Sequence, residues 1–349
     1  MLISLNDLLG NRVIKEVSLP DLSYDRKPAK VWFCDNETEE KLSHYYHNSH
    51  AYLPTQSLYR LNDVKIRGKG IITIDKRVIK ENIEGAPIET IQQNLSKETK
   101  ANKIIEDPVL YTTRYGVKNY GHCLTDIIPR IQWFHQLYPG IRIIIHKEMP
   151  KQIFEVLALL GINKDKMILL GDELVNAKTL YFVNLWNQHP LIHSTKTFQI
   201  LEDIKKQTQV KGWRFKSRPK KIFVNRNDAH TRHIINHREV SRYLKQKGFS
   251  EISTGKLSIK EQIHYFSEAE HVIGISGAAM TNIVFSEPHT KVLNLSPSSM
   301  PSLYFWDIAH HANVDYAIAY FAATHKEKIL HSDFFVNLSI LEEMLAALD

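Results

Sequence analysis

The chain has two cysteines, Cys34 and Cys123, among its 349 residues. Two thiols cannot build a framework of bridges, and neither sits in a Cys/His spacing that resembles a zinc site, so a reduced, cytosolic protein is expected. No apolar run approaches the roughly 20 residues needed to span a bilayer. Met1 to Asn11 carries Asp7 and has neither a basic start nor a long apolar core, which argues against a secretory signal. Internal repeats and low-complexity segments are lacking too. Without a helix-turn-helix pattern or an RNP-like motif, nucleic-acid binding would rest on charge alone and is not expected.

What is present has the balance of an ordinary globular protein, 43% hydrophobic and 24% charged. The length suits two domains better than one, since single cores rarely grow past about 250–300 residues. The net charge is +7. Its densest basic stretch runs from Lys205-Lys206 through Lys211, Arg214, Lys216, Arg218, Lys220 and Lys221, with Trp213 and Phe215 among them. This reads as a solvated connection between domains, with contact to an anionic membrane surface as the functional alternative.

On either side of that connection the chain alternates. Ile141 to Ile145 is rich in β-branched residues and predicts a strand, followed by a helix over Lys151–Leu160 with Pro150 at its entry and Gly161 at its exit. Lys166–Leu170 and Thr179–Val183 are further strand candidates, and a helix is expected from about Thr197 to Lys206. The second series starts with a strand at Lys221–Val224. A helix opens at Asn236 with Glu239 in a capping-box spacing, and a strand is expected over Phe249–Ser253. Ser258 and Glu261 form another capping box, and strands follow at His271–Ile275 and Lys291–Leu295. Two such series imply α/β architecture with parallel sheets covered on both faces. The first hundred residues read differently, with short alternating runs from Tyr59 to Ile79 broken by Gly68 and Gly70.

Three constellations carry chemistry. Gly274-Ile275-Ser276-Gly277-Ala278-Ala279 follows a strand and opens a short apolar segment, Met280 to Phe285. Small residues at such a turn let a ligand approach the backbone, and the free N–H groups beyond favour an anion. Asn225-Arg226, at the end of the Lys221 strand, is followed by Asp228, His230, Arg232 and Asn236; two arginines straddling a turn could clasp a diphosphate. Asn119-Tyr120-Gly121-His122-Cys123-Leu124-Thr125-Asp126 places an imidazole and a carboxylate one helical turn apart. A carboxylate orients such a ring for general-base work, although a purely structural pair has the same spacing. Pro129 predicts a kink near Thr125.

The ordered set resembles glycosyltransferase family 61, the capsular polysaccharide biosynthesis glycosyltransferases. The matching pieces are Asn119-Tyr120-Gly121-His122 with Asp126, Pro129 and Arg130; Asn225-Arg226 with Arg232 and Asn236; Gln262, Ala269 and Gly274; Gly277-Ala278-Ala279-Met280-Thr281-Asn282 with Phe285; and Pro288. The resemblance covers about Tyr59 to Pro297. The family usually has histidine where Ser276 stands and glutamate where Asn294 stands.

The resemblance implies a GT-B-like architecture: two Rossmann-like domains facing a cleft, with a β-rich N-terminal lead-in over about residues 1–100. The acceptor-side domain is expected over 1–205, the nucleotide-sugar domain over 206–310, and a carboxyl-terminal segment, 311–349, packing back on the first. It implies an inverting, metal-independent transfer from a nucleotide sugar, a co-substrate rather than a cofactor, to a glycan or lipid-linked glycan in surface polysaccharide biosynthesis. His122 and Asp126 are the catalytic candidates. Arg226, Arg232, Asn236, Ser276, Gly277, Ala278, Ala279, Asn282 and Glu287 are the donor-binding candidates, and Asn119, Tyr120 and Arg130 those for the acceptor. A cytoplasmic protein with peripheral contact at the inner face of the membrane is expected; the alternative is a non-catalytic scaffold or anionic-glycan binder of the same fold.

Overall fold

The computed structural model describes residues 2–10, 12–83, 86–96, 103–188, 192–210, 218–226, 229–301, 303–325 and 327–348. The chain forms two compact units, one from Met1–Leu22 and Tyr52–His189, the other from Ser23–Ala51 and Pro190–Asp349. This corrects the expected boundaries. The break falls near residue 190 rather than 205, and an early segment, Ser23–Ala51, belongs to the second unit.

In the first unit the early β-rich region belongs to the main sheet. Strands β1 (Gln56–Arg67), β2 (Ile71–Ile74) and β3 (Arg77–Ile79) form an antiparallel meander. Four more strands continue the same sheet: β4 (Val109–Tyr111), β5 (Arg142–His146), β6 (Met167–Leu170) and β7 (Leu174–Val183). They lie in the order β6-β5-β4-β7, parallel to one another, and β7 pairs antiparallel with β1. Chain order 3-2-1-4 is one half of a doubly wound sheet, so its direction of winding reverses between β4 and β7. The central strand β4 has only three residues, all buried, and the sequence pattern misses it. Gly70, at φ +94, lets the turn between β1 and β2 press onto the exit of β4: a Cβ there would lie 2.6 Å from Arg114 Cα.

Between β4 and β5 runs helix α1. It starts as α-helix at Tyr120–His122, passes through a π-helical turn at Cys123–Ile127 and continues as α-helix over Ile128–Leu137. The cause is local. Pro129 has no N–H to give the Thr125 carbonyl, and the Ile128 N–H reaches back to the Cys123 carbonyl instead. The kink expected near Thr125 is this widened turn. Helix α2 (Lys151–Leu159) connects β5 to β6 and is followed by Gly161 at φ +76.

The second unit is a six-stranded sheet, parallel throughout. Helix α3 (Thr195–Val210) precedes β8 (Lys221–Val224), α4 (His237–Gln246), β9 (Ser250–Ile252), α5 (Ile259–Glu268), β10 (His271–Ile275), β11 (Lys291–Pro297), α6 (Tyr304–Ala312), β12 (Asp315–Phe321) and α7 (Leu338–Leu348). The sheet order is β9-β8-β10-β11-β12, with Lys30–Trp32 added beside β12. In chain order that is 2-1-3-4-5, and the winding reverses between β8 and β10. The capping box at Ser258 and Glu261 forms as expected, whereas Asn236 makes no side-chain cap.

The carboxyl-terminal segment is integral to this unit, contrary to expectation. Tyr316 to Phe321 of β12 are all buried. Leu341 and Met344 of α7 join Phe223, Val240 and Ile273 in one core. Fully burying such side chains is worth about 1.5–3 kcal/mol each, which holds the segment here.

Candidate functional site

At the reversal point of the second sheet, β8 ends in Asn225-Arg226 and β10 in Ser276-Gly277. The Arg226 guanidinium lies directly on Gly277, leaving no room there for a Cβ. Its Nε donates to the Thr231 carbonyl at 2.9 Å, which fixes the arginine across the turn. Arg232 is held at φ +64, a left-handed conformation that costs a non-glycine residue about 1–2 kcal/mol. Burial and then the charge of Arg226 push its guanidinium down to about 10. Its Nη1 reaches Met300 Sδ at 3.1 Å, and its Nε has no hydrogen-bond partner among the described residues.

Gly277 is followed by a 3₁₀ helix, Ala278–Phe285, in place of an α-helix. The first backbone bond there is donated by Met280 to the Gly277 carbonyl, so the N–H groups of Ala278 and Ala279 stand ahead of the ladder. Two adjacent arginines, one of them strained and desolvated, beside such N–H groups at a reversal point are suited to an anion such as a diphosphate.

The other donor-side candidates lie elsewhere. Ser276 and Asn294 are fully buried and bonded to each other: Ser276 Oγ donates to Asn294 Oδ1 at 3.1 Å, and Asn294 Nδ2 to the Tyr316 hydroxyl at 3.1 Å. Asn282 is buried as well, donating to Gln262 Oε1 at 2.8 Å and tying the 3₁₀ helix to α5. Asn236 exchanges two hydrogen bonds with the backbone of Val336, at 2.9 and 3.0 Å, so its amide joins α4 to the carboxyl-terminal segment. Glu287 precedes β11 and pairs with Lys205 at 3.3 Å. That is the amino edge of a parallel sheet, opposite the edge where Arg226 and Gly277 emerge. His230 is exposed; Asp228, Lys211, Trp213, Arg214, Phe215 and Lys216 fall outside the described residues.

In the first unit the expected His122–Asp126 dyad is replaced by an arginine clamp. Asp126 and Arg130 are completely buried. Asp126 receives Arg130 Nη2, Arg114 Nη1 at 3.5 Å and the Trp186 backbone N–H at 3.0 Å. Burial pushes the carboxyl up, but Arg130, Arg114 and the Trp186 N–H outweigh it and hold the group below the ordinary aspartate range. Arg130 also donates to the Thr112 carbonyl at 2.9 Å and to the Val183 carbonyl at 2.8 Å, lashing together the exits of β4 and β7. Neither residue is accessible to an acceptor or to a proton in transit, so both are reassigned to structure. Arg114 and Trp186, which sequence reasoning missed, complete the clamp.

His122, by contrast, is partly exposed, with its ring edge against Gly116 at φ +87, where a Cβ would meet Cδ2 at 3.2 Å. Asn119 caps α1 by accepting from the Gly121 N–H at 2.9 Å, and Tyr120 is half-buried beside it.

A carboxylate–imidazole pair does exist, in the second unit. Asp307 of α6 accepts from His193 Nδ1 at 2.7 Å, Arg26 Nε at 2.7 Å and the Tyr24 hydroxyl at 2.7 Å. Burial raises the Asp307 carboxyl, yet His193, His311 and Arg26 bring it down to about 2. Burial also pushes His311 down to about 3. The network pins the Ser23–Ala51 segment into its unit. Its members come from three distant stretches of chain, so no local pattern announces it.

A parallel sheet whose reversal point carries paired arginines has the layout of a protein for nucleotide-like anions. Residues 120–293, from the start of α1 into β11, match the family model of Glycosyltransferase 61, which supports that family and a transferase with donor and acceptor substrates. No curated protein matches the chain. Among the described residues no helix is long and apolar enough to cross a membrane.

Proposed function

We propose that the protein is an inverting glycosyltransferase of GT-B type that moves a sugar from a nucleotide-sugar donor to a glycan or glycolipid acceptor in surface polysaccharide biosynthesis. The observation that carries this reading is the seating of Arg226 on Gly277 with Arg232 beside it. Inverting transfer is a single displacement at the anomeric carbon, and it needs positive charge on the departing nucleoside diphosphate and a base for the acceptor hydroxyl. Arg226, Arg232 and the N–H groups of Ala278 and Ala279 supply the charge. His122 serves as the base, with Asn119 and Tyr120 on the acceptor side.

The test is a panel of nucleotide sugars scored by thermal protection and by hydrolysis; no response to any nucleotide would sink the proposal. Arg226→Ala and Arg232→Ala should each weaken nucleoside-diphosphate binding by about 1.5–3 kcal/mol, the range for a hydrogen bond to a charged group. Arg238→Ala, on the exposed face of α4, should leave it unchanged, and equal losses for all three would mean that general charge is responsible. Turnover should also persist in EDTA, because the arginines provide the charge and the sequence has no Asp-x-Asp triplet. Complete loss with EDTA and rescue by manganese would contradict the mechanism.

A non-catalytic binder of the same fold is favoured by one observation, the enclosure of Asp126 away from any substrate. It predicts donor binding without turnover on any acceptor.

A further inference from the structure

The segment that carries Arg232 also has an outward side. Residues 231–236 run parallel to 331–336, held by the Ile234–Phe334 bridge, by Phe334 N–H to the His233 carbonyl at 3.0 Å and by Ile235 N–H to the Phe334 carbonyl at 2.9 Å. Ile234 and Phe334 turn inward and are buried; Ile235 and Phe335, next along the same register, turn outward and are 57% and 51% exposed. The turn leading into this pairing adds Ile329 and Leu330, 60% and 51% exposed. A single exposed aliphatic residue needs no explanation. Four large ones on one paired segment and its lead-in do.

Charge identifies the partner. Helix α4 begins two residues after Ile235 and shows Arg238, Arg242 and Lys245 on one exposed face, at the i, i+4, i+7 spacing of a helical stripe. Lys328 stands exposed in the turn beside Ile329. No ion pair joins these four cations to a carboxylate among the described residues. The nearby acids are otherwise engaged: Glu327 with His325, Asp333 with His233 and Glu239 with Asn236. A chain of net charge +7 repels a second copy of itself, which disfavours self-association through this face.

We infer that Ile235, Ile329, Leu330 and Phe335, with the Arg238–Arg242–Lys245 stripe, form a docking surface for an anionic lipid bilayer. The apolar side chains enter the headgroup boundary and the stripe engages lipid phosphates, the combination by which peripheral proteins bind membranes without spanning them. Because Arg232 lies on the inward side of the same pairing, docking would hold the arginine site near the lipid surface. The inference does not depend on the donor assignment.

The experiment is co-sedimentation of the full chain with phosphatidylglycerol/phosphatidylcholine vesicles and with pure phosphatidylcholine vesicles, at low and high salt. Binding is expected to the anionic vesicles and to fall with salt. An Arg238→Gln, Arg242→Gln, Lys245→Gln triple variant should lose on the order of a hundredfold in partitioning, since each basic side chain near an anionic surface contributes roughly fivefold. Phe335→Ser with Leu330→Ser should lose binding at both salt concentrations. Thermal midpoints should be unchanged because all of these side chains are exposed, and the single Phe335→Ser variant serves if the double variant does not fold. Equal binding to neutral vesicles, no effect of either variant, or a dimer that Phe335→Ser converts to a monomer without any vesicle binding would overturn the inference.

Discussion

Asp126→Ala is expected to destabilise the protein by about 3–5 kcal/mol, the cost of leaving buried charge without its partner. Removing the carboxylate strands Arg130 and Arg114, both buried, and frees the Trp186 N–H. Trp186 packs against Trp133 with ring centroids 5.4 Å apart and planes inclined by 50°, so tryptophan fluorescence in a denaturant titration reads the loss where it occurs. Acid should act in the same direction. The carboxyl of Asp126 lies below its unfolded value, so its stabilisation is complete above about pH 4 and is lost as pH falls below that. Asp307 adds to this acid limb, with stabilisation lost between about pH 4 and its own folded value of about 2. Asp126→Asn should therefore be less stable at neutral pH and show a shallower decline in acid. An unchanged midpoint together with lost turnover would return Asp126 to catalysis.

The same residue shows where sequence reasoning reached and where it stopped. Strands β5, β8 and β10 are runs of β-branched and apolar residues and were legible directly. The three-residue β4 offers no period to detect, and with it went Arg114, the partner that makes Asp126 structural. The spacing of His122 and Asp126 was read on an ordinary α-helix. Pro129 imposes a π turn over Cys123–Ile127, and the buried Arg114 and Arg130, rather than the imidazole, hold the Asp126 carboxylate.

Pairings across elements were illegible for a different reason. Gln262 and Asn282 both stood out in the sequence, yet only the packing of α5 against the 3₁₀ helix shows that one holds the other. Ser276 and Asn294 stood out as two separate departures from the family pattern. The register of β10 and β11, which sets Gly274 opposite Asn294, brings them into contact, so they are one change at one place in the core. The position of the arginines was legible because that argument is topological: residues just beyond strand ends at a reversal point remain there whatever the exact element bounds. Glu287 failed the same argument, since it precedes a strand.

His122→Ala is expected to lower turnover by about 100- to 10,000-fold while leaving donor affinity within about twofold of wild type, the signature of a lost general base. With Asp126 enclosed by arginines, His122 is the remaining ionisable member of the expected pair, and its partial exposure leaves the imidazole accessible to an acceptor hydroxyl. Gly116 at φ +87 is the floor beneath the ring, and a side chain there would displace it. Gly116→Ala should therefore slow turnover in the same direction without touching the donor site. Single-turnover rates with a responding nucleotide sugar, alongside its dissociation constant measured by titration, separate the two effects. A His122→Ala enzyme that turns over at the wild-type rate would remove the imidazole from the chemistry and send the search to exposed His230 in the other unit. Equal losses in affinity and rate would mean that His122 supports the fold of its helix rather than the transfer of a proton.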